Sequence, residues 1–98
     1  MAAGNTVRPQ KWSNVIDLYD DGTNSVIWGS YEAAAQRCLG VRWNGAGSGY
    51  PNQGGNPLWY VEPEFLAKGI LLELLSDVNR NPAHGSIPNI LVALGELP

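Results

Sequence analysis

The stretch KWSNVIDLYDDGTNSVIWGSYE, residues 11–32, decides the fold class that this sequence predicts. Two β-prone runs flank the segment DDGTN, in which Gly22 follows two aspartates. An Asp-Gly pair between alternating apolar runs is a strong hairpin signal, because glycine adopts the positive φ angles that such turns need. The stretch therefore predicts two antiparallel strands, over residues 12–19 and 25–31.

The segments that follow extend this hairpin into a meander. RCLGVRWN, residues 37–44, predicts a third strand, and LWYV, residues 58–61, predicts a short fourth strand. Successive side chains of a strand point to opposite faces of the sheet. Alternation therefore predicts one face that carries Ile16, Leu18, Leu39, Val41 and Trp43, and an opposite face that carries Tyr19, Gly40 and Arg42.

The stretch VEPEFLAKGILLELLSDVNRNP, residues 61–82, predicts one main helix over residues 63–79. Pro63 suits the first helical turn, and the carboxylates of Glu62 and Glu64 complement the positive end of the helix. Its apolar stripe is wide and consists of Leu66, Ile70, Leu74 and Val78, broadened by Ala67, Leu71 and Leu75. Such a face needs more than one packing partner. The sheet is one partner, and the tail SIPNILVALGELP, a short helical element opened by Ser86 and Pro88, is the other.

These elements together predict an α+β fold, in which a small antiparallel β-meander of about four strands is packed by the main helix and the short C-terminal helical element. No linker divides residues 11–98, so we expect them to form a single domain. Residues 1–10 lack periodicity and contain Gly4 and Pro9, which predicts a flexible N-terminus.

Composition and charge exclude several classes of function. The 98 residues include six basic and nine acidic side chains, and the basic ones are scattered singly, so no positive stripe is available for a phosphate backbone. Cys38 is the only cysteine, which excludes an intramolecular disulfide framework. With no basic and apolar leader, this favours a cytoplasmic protein. No apolar run approaches the ~18 residues of a membrane span.

Candidate catalytic residues are few. His84 would need an orienting carboxylate and a nucleophile close by, and Asp77 and Ser86 are near it in sequence without a recognised spacing. A solvated loop histidine is therefore the favoured interpretation. Cys38 is interpreted as a small apolar strand residue, since free cysteines are commonly buried. These residues favour a protein without catalytic activity.

The acidic residues at the first hairpin are compatible with a metal site or with ordinary turn chemistry. Oxygen ligands from Asp17, Asp20, Asp21 and Glu32 could together hold a hard cation. However, Asp-Asp-Gly is a common turn sequence, and no calcium-loop register is present. The sequence therefore predicts no metal and no cofactor.

The stretch VRWNGAGSGYPNQGGNPLWYV, residues 41–61, contains the candidate site. Its glycines at 45, 47 and 49 suggest a phosphate cradle, but a strand and not a helix follows them, and no P-loop lysine is present. Long connections without internal structure are uncommon in compact domains and are often functional or disordered. We therefore expect a function, if there is one, at the loop of residues 44–57.

Aromatic residues are the strongest remaining functional signal, because four Trp and four Tyr exceed what one face of so small a sheet can hold. The favoured interpretation is a core with a covered second face, and the alternative is an exposed aromatic patch beside Arg42. Trp, Tyr and Arg dominate the hot spots of protein interfaces. The candidate binding residues are Arg42, Trp43, Asn44, Tyr50, Asn52, Gln53, Asn56 and Trp59.

Two hypotheses of function follow. In the first, the chain is a non-enzymatic protein–protein interaction module, such as a bacterial or phage accessory, inhibitor or immunity-type protein. Its partner would be another protein or a second copy, so that a homodimer forms through the helix or the second sheet face. In the second, a pocket under the 44–57 loop binds a small anion or nucleotide-like ligand, held by Arg42 and oriented by Asn44 or Asn52, with or without weak catalysis. Stacking on unpaired bases is disfavoured because no positive groove is present.

Overall fold

The computed structural model, which describes residues 4–98, places two helices on one face of a four-stranded antiparallel sheet with the strand order β1-β2-β3-β6. The strands are β1 (Trp12–Asp20), β2 (Asn24–Tyr31), β3 (Cys38–Trp43), β4 (Asn52–Gln53), β5 (Asn56–Pro57) and β6 (Tyr60–Val61). The helices are α1 (Glu64–Arg80) and α2 (Ile87–Glu96), and short 3-10 turns cover Gly4–Thr6 and Pro82–His84. The predicted α+β fold is confirmed. The fourth strand of the sheet, β6, has two residues where four were predicted.

The turn between β1 and β2 is held by the side chains of its aspartates. Asp20 accepts a hydrogen bond from the backbone N–H of Gly22, and Asp21 accepts from Thr23 and Asn24. Gly22 has a φ of 91°, a conformation that glycine adopts without a steric cost. The predicted hairpin is therefore present, and the carboxylates of this segment serve the turn.

Two irregularities in β1 change which side chains it buries. The pairing with β2 shifts register between Ser13 and Ile16 and again between Asp17 and Tyr19. Each shift inserts extra backbone, as in a β-bulge, so strict alternation fails beyond it. Tyr19 consequently lies opposite Val26 and packs against the same core as Leu18. The prediction that Tyr19 points to the face opposite Leu18 is wrong for this reason.

The sheet is covered on both faces by separate apolar clusters. On the helix side, buried residues of the sheet and of both helices form the main core: Leu18, Val26, Trp28, Leu39, Ala67, Leu71, Leu74, Val78, Ile90 and Ala93. On the other side, Val7, Trp12, Ile27 and Trp59 form a second cluster. The second face is therefore covered by the N-terminal segment and by the chain around Trp59.

The N-terminal segment is attached to this second cluster. Val7 is buried there, and its carbonyl accepts a hydrogen bond of 3.1 Å from the indole N–H of Trp59. Arg8 pairs with Asp17 of β1 at 2.6 Å. Residues 1–3 of the segment predicted to be flexible lie outside the described residues, and the flexibility of the remainder stays a prediction.

The helices begin and end largely where the sequence predicts. The hydroxyl of Ser86 accepts the backbone N–H of Asn89 and caps α2, and Pro88 occupies its first turn. In α1 the buried stripe is Ala67, Leu71, Leu74 and Val78. Leu66, which was predicted to lie in this stripe, is exposed because the helix is rotated so that Ala67 and Leu71 contact the sheet and α2. None of the helices within residues 4–98 is long and apolar enough to cross a membrane, and the cytoplasmic localisation stays a prediction.

Candidate functional site

Arg42 is the centre of the loop that follows β3, although its side chain is only 1% exposed. Its Nε donates to Asn44 Oδ1 at 2.8 Å, one terminal nitrogen donates to the carbonyls of Leu58 and Pro51, and the other donates to the carbonyl of Ser48. All three nitrogens thus hold acceptors of the loop of residues 44–58. The guanidinium lies 5.9 Å from the ring centroid of Trp59. Burial lowers the pKa of Arg42.

The buried amide of Asn44 extends this network into the sheet. Its Nδ2 donates to the hydroxyl of Ser25 on β2 at 2.7 Å, while its Oδ1 accepts from Arg42. Gly49 completes the close packing, since a Cβ at this position would lie 2.2 Å from the carbonyl oxygen of Trp43, and its φ is 70°. The base of the loop is therefore locked by buried polar contacts, and glycine is required at position 49.

The remainder of the loop contains its own small hairpin. Strands β4 and β5 pair Asn52 with Pro57 and Gln53 with Asn56, around two glycines of positive φ. The amide of Asn52 donates to the carbonyl of Gly49 at 2.8 Å, and the hydroxyl of Ser48 donates to the carbonyl of Gly55. The loop of residues 44–57 therefore has internal structure of its own.

Three aromatic side chains lie exposed on one face of the sheet beside this loop. Trp43 is bridged to Tyr50, and Val41 is paired with Tyr60, so each pair shares a face. Val41 packs against the main core, which identifies this face as the one that the helices cover elsewhere. The rings nevertheless remain 45% (Trp43), 64% (Tyr50) and 53% (Tyr60) exposed. We call Trp43, Tyr50 and Tyr60 the aromatic face.

The eight candidate binding residues from the sequence fall into three groups. Trp43 and Tyr50 are exposed together on the aromatic face. The polar side chains Asn52, Gln53 and Asn56 are exposed on the β4–β5 hairpin. Arg42, Asn44 and Trp59 are buried, and they support the loop from within. Tyr60 was not among the candidates, although the alternation of side chains along a strand places it on the face opposite its neighbour Trp59.

His84 lies in the turn after α1 with 35% of its side chain exposed, which agrees with its interpretation as a loop histidine, and it is also paired with Asp77. Its Nδ1 lies 3.3 Å from Asp77 Oδ2, and its ring meets that of Tyr19 edge-on with centroids 5.7 Å apart. Hydrogen bonds from Tyr19 and His84 hold the pKa of Asp77 below its usual value. Burial, together with Asp77 and Asp21, raises the pKa of the Tyr19 hydroxyl well above its usual value.

This His-Asp pair lacks the third group that nucleophilic catalysis needs. Within residues 4–98, His84 makes no hydrogen bond to a hydroxyl or thiol, and the hydroxyl of Ser86 caps α2. In the same described part of the chain, no three His, Cys, Asp or Glu side chains come together as metal ligands would. The pair is therefore best described as a structural contact between α1, the turn that follows it and β1.

No protein-family model, curated protein or solved structure matches the chain.

Proposed function

We propose that this chain is a non-enzymatic protein–protein interaction module that binds its partner through the aromatic face. The observation that carries the proposal is the exposure of Trp43, Tyr50 and Tyr60 on one side of the sheet. Trp and Tyr are enriched in interface hot spots because they bury a large area for few rotatable bonds. Three such rings on one small face are a suitable anchor for a partner protein.

The support beneath these rings favours the same function. Arg42, on β3 next to Trp43, holds the loop that carries Tyr50 through hydrogen bonds to three backbone carbonyls. A surface that is already ordered loses little conformational entropy when a partner binds. The buried network therefore explains why a chain of this size keeps an arginine in its interior.

No observation favours the alternative anion site under the loop. The guanidinium that would hold the anion already donates from all three nitrogens to Asn44, Ser48, Pro51 and Leu58. An anion would have to displace these contacts and leave buried carbonyls without donors, at a cost of about 1–3 kcal/mol each. The interaction hypothesis needs no such rearrangement.

A second apolar surface supports self-association. The solvent side of α2 carries Pro88, Leu91, Val92 and Gly95. The one charged residue of this helix, Glu96, is paired with Arg37. On α1, Phe65 is 84% exposed, and Leu72 is exposed on a side of the helix that does not face the core. We call Phe65, Leu72, Leu91 and Val92 the helix surface and propose that it binds a second copy.

Affinity capture with matched variants tests the aromatic face. The immobilised chain is incubated with an extract of the cells that express it. The partner protein that it retains is then purified, and its affinity for the chain is measured by calorimetry. We expect the double variant Trp43→Ser/Tyr60→Ser to weaken this binding by at least about tenfold, since a hot-spot ring contributes about 2 kcal/mol or more. Thermal unfolding of the variant establishes that it folds.

Leu66→Ser is the matched control, because it also removes a large exposed apolar side chain but lies outside both the aromatic face and the helix surface. It should retain the partner with unchanged affinity. The proposal is wrong if the double variant binds the partner as tightly as the unmodified chain does. It is also wrong if the double variant retains every protein that the unmodified chain retains.

A further inference from the structure

We infer that a cavity between the end of α2, the start of α1 and strands β2 and β3 binds a small organic cation with an apolar body. The cavity has a volume of about 260 Å³. Its floor consists of the buried side chains Trp28, Leu39 and Ala67, and Val61 and Leu97 extend the apolar lining. None of these residues belongs to the aromatic face or to the helix surface, so this site is separate from the proposed interfaces.

The size and the apolar lining of the cavity determine which apolar group of a ligand it can hold. Ligand sites are concave and mostly apolar, with a few polar groups that fix orientation. A dry apolar cavity of roughly 150 Å³ is sufficient for a benzene ring. The space here therefore accommodates a phenyl ring with a short alkyl chain, in contact with the indole of Trp28.

Two hydrogen-bond donors of the cavity, Arg37 and Trp28, already have acceptors. Arg37 donates from Nε and one terminal nitrogen to the two carboxylate oxygens of Glu96, and from the other to the carbonyl of Asn14. The indole N–H of Trp28 donates to Glu96 Oε1 at 2.8 Å. Because these groups satisfy one another, neither the guanidinium nor the indole N–H is available to an anionic ligand.

The charges that remain are negative. Glu62 and Glu64 line the cavity, and neither carboxylate forms an ion pair within the described residues. Glu64 lies in the first turn of α1, whose partial positive charge of about half a unit offsets only part of the two carboxylates. A cationic head group is therefore attracted to the lining, and an anionic one is repelled.

A charge series of three ligands with one phenyl body tests this inference. The probes are 2-phenylethylamine, which is a cation at neutral pH, the neutral 2-phenylethanol and the anion 3-phenylpropionate. Titration calorimetry measures the affinity of each probe for the unmodified chain. We expect the amine to bind, the alcohol to bind about tenfold more weakly, and the anion to give no heat of binding.

A double variant tests whether Glu62 and Glu64 cause the preference for a cation. Glu62→Gln/Glu64→Gln should weaken binding of the amine by about tenfold and leave binding of the alcohol unchanged. Glu73→Gln is the matched control, since this exposed glutamate of α1 does not line the cavity, and it should behave as the unmodified chain.

The inference and the proposed function fail separately. The variant Trp43→Ser/Tyr60→Ser should bind the amine normally. If the amine does not bind at millimolar concentration, or if all three probes bind equally, the cavity is not a site for cations, whatever the outcome of the partner experiment.

Discussion

Among single residues, Arg42 connects the interior of the sheet with the surface loop of residues 44–58. An isolated buried charge is unfavourable by several kcal/mol, and hydrogen bonds to carbonyls and to Asn44 offset that cost. Lysine could not replace Arg42, because its single ammonium nitrogen cannot reach all the acceptors that the three guanidinium nitrogens contact. The same guanidinium holds the chain on both sides of Tyr50, at Ser48 and Pro51.

Arg42→Met should lower the free energy of unfolding by about 3 kcal/mol, because loop carbonyls and Asn44 lose their donor. It should also accelerate amide hydrogen exchange throughout residues 44–58. Urea unfolding and hydrogen exchange measure the two effects.

Arg80→Met is the control, since this arginine is exposed and, among residues 4–98, pairs only with Asp77 across one helical turn at 3.6 Å. It should change stability by less than about 0.5 kcal/mol. Unchanged exchange in the loop of the Arg42→Met variant would contradict the role assigned to the guanidinium.

At the scale of elements, α2 is attached to the sheet at both of its ends. Near its start, the amide of Asn89 donates to the carbonyl of Asp17 on β1 at 2.9 Å. At its end, Glu96 accepts from Arg37, which precedes β3, and from Trp28 of β2. Hydrogen bonds from Arg37 and Trp28 lower the pKa of Glu96 from 4.5 to about 2.

A dependence of stability on pH follows from this pKa. The unfolded chain protonates Glu96 more readily than the folded protein, so the contribution is fully present above about pH 4.5 and is lost as the pH falls towards 2. We expect urea midpoints of the unmodified chain and of Glu96→Gln to differ at pH 7 and to converge as the pH falls through this window.

Glu73→Gln provides the comparison, because this carboxylate makes no ion pair within the described residues. Its midpoints should follow those of the unmodified chain at every pH. A difference between the unmodified chain and Glu96→Gln that stays constant from pH 7 to pH 2 would show that the carboxylate is not linked to folding.

At the scale of the whole molecule, both faces of the sheet are covered, whereas the helices are covered only on the side that faces the sheet. The N-terminal segment covers the face of Trp12 and Trp59, whereas the outer side of the helices carries Phe65, Leu72 and Leu91 in contact with water. A helix that is apolar on most of its circumference is usually buried. A second copy of the chain would bury this helix surface on both molecules at once.

Self-association is therefore expected to depend on concentration. Sedimentation velocity should show a monomer–dimer equilibrium, and Leu91→Glu should weaken the dimer by more than about tenfold, because it places a charge in an apolar interface. Tyr60→Ser should leave the equilibrium unchanged. A chain that stays monomeric up to millimolar concentration would exclude the homodimer.

The fold class, the first hairpin and the two helices were predictable because their signals are local. Asp21 accepts a hydrogen bond from the backbone N–H of Thr23, and Gly22 supplies the positive φ angle of the turn. Ser86 caps the helix that begins at the next residue. The candidate site was only partly predictable. Trp43 and Tyr50 were recognised as candidates, but their exposure depends on where the helix layer ends, which no short stretch encodes.

The sequence by itself determined the order of elements, since turns, caps and alternation act between residues close in the chain. Tertiary structure alone decided the direction of Tyr19, which depends on a register shift, and the burial of Arg42, whose acceptors lie up to sixteen residues away. It also decided the cavity beside Trp28, which joins residues from β2, α1 and the end of α2. Long-range contacts of this kind depend on how elements pack, because packing selects among faces that local propensity leaves equivalent.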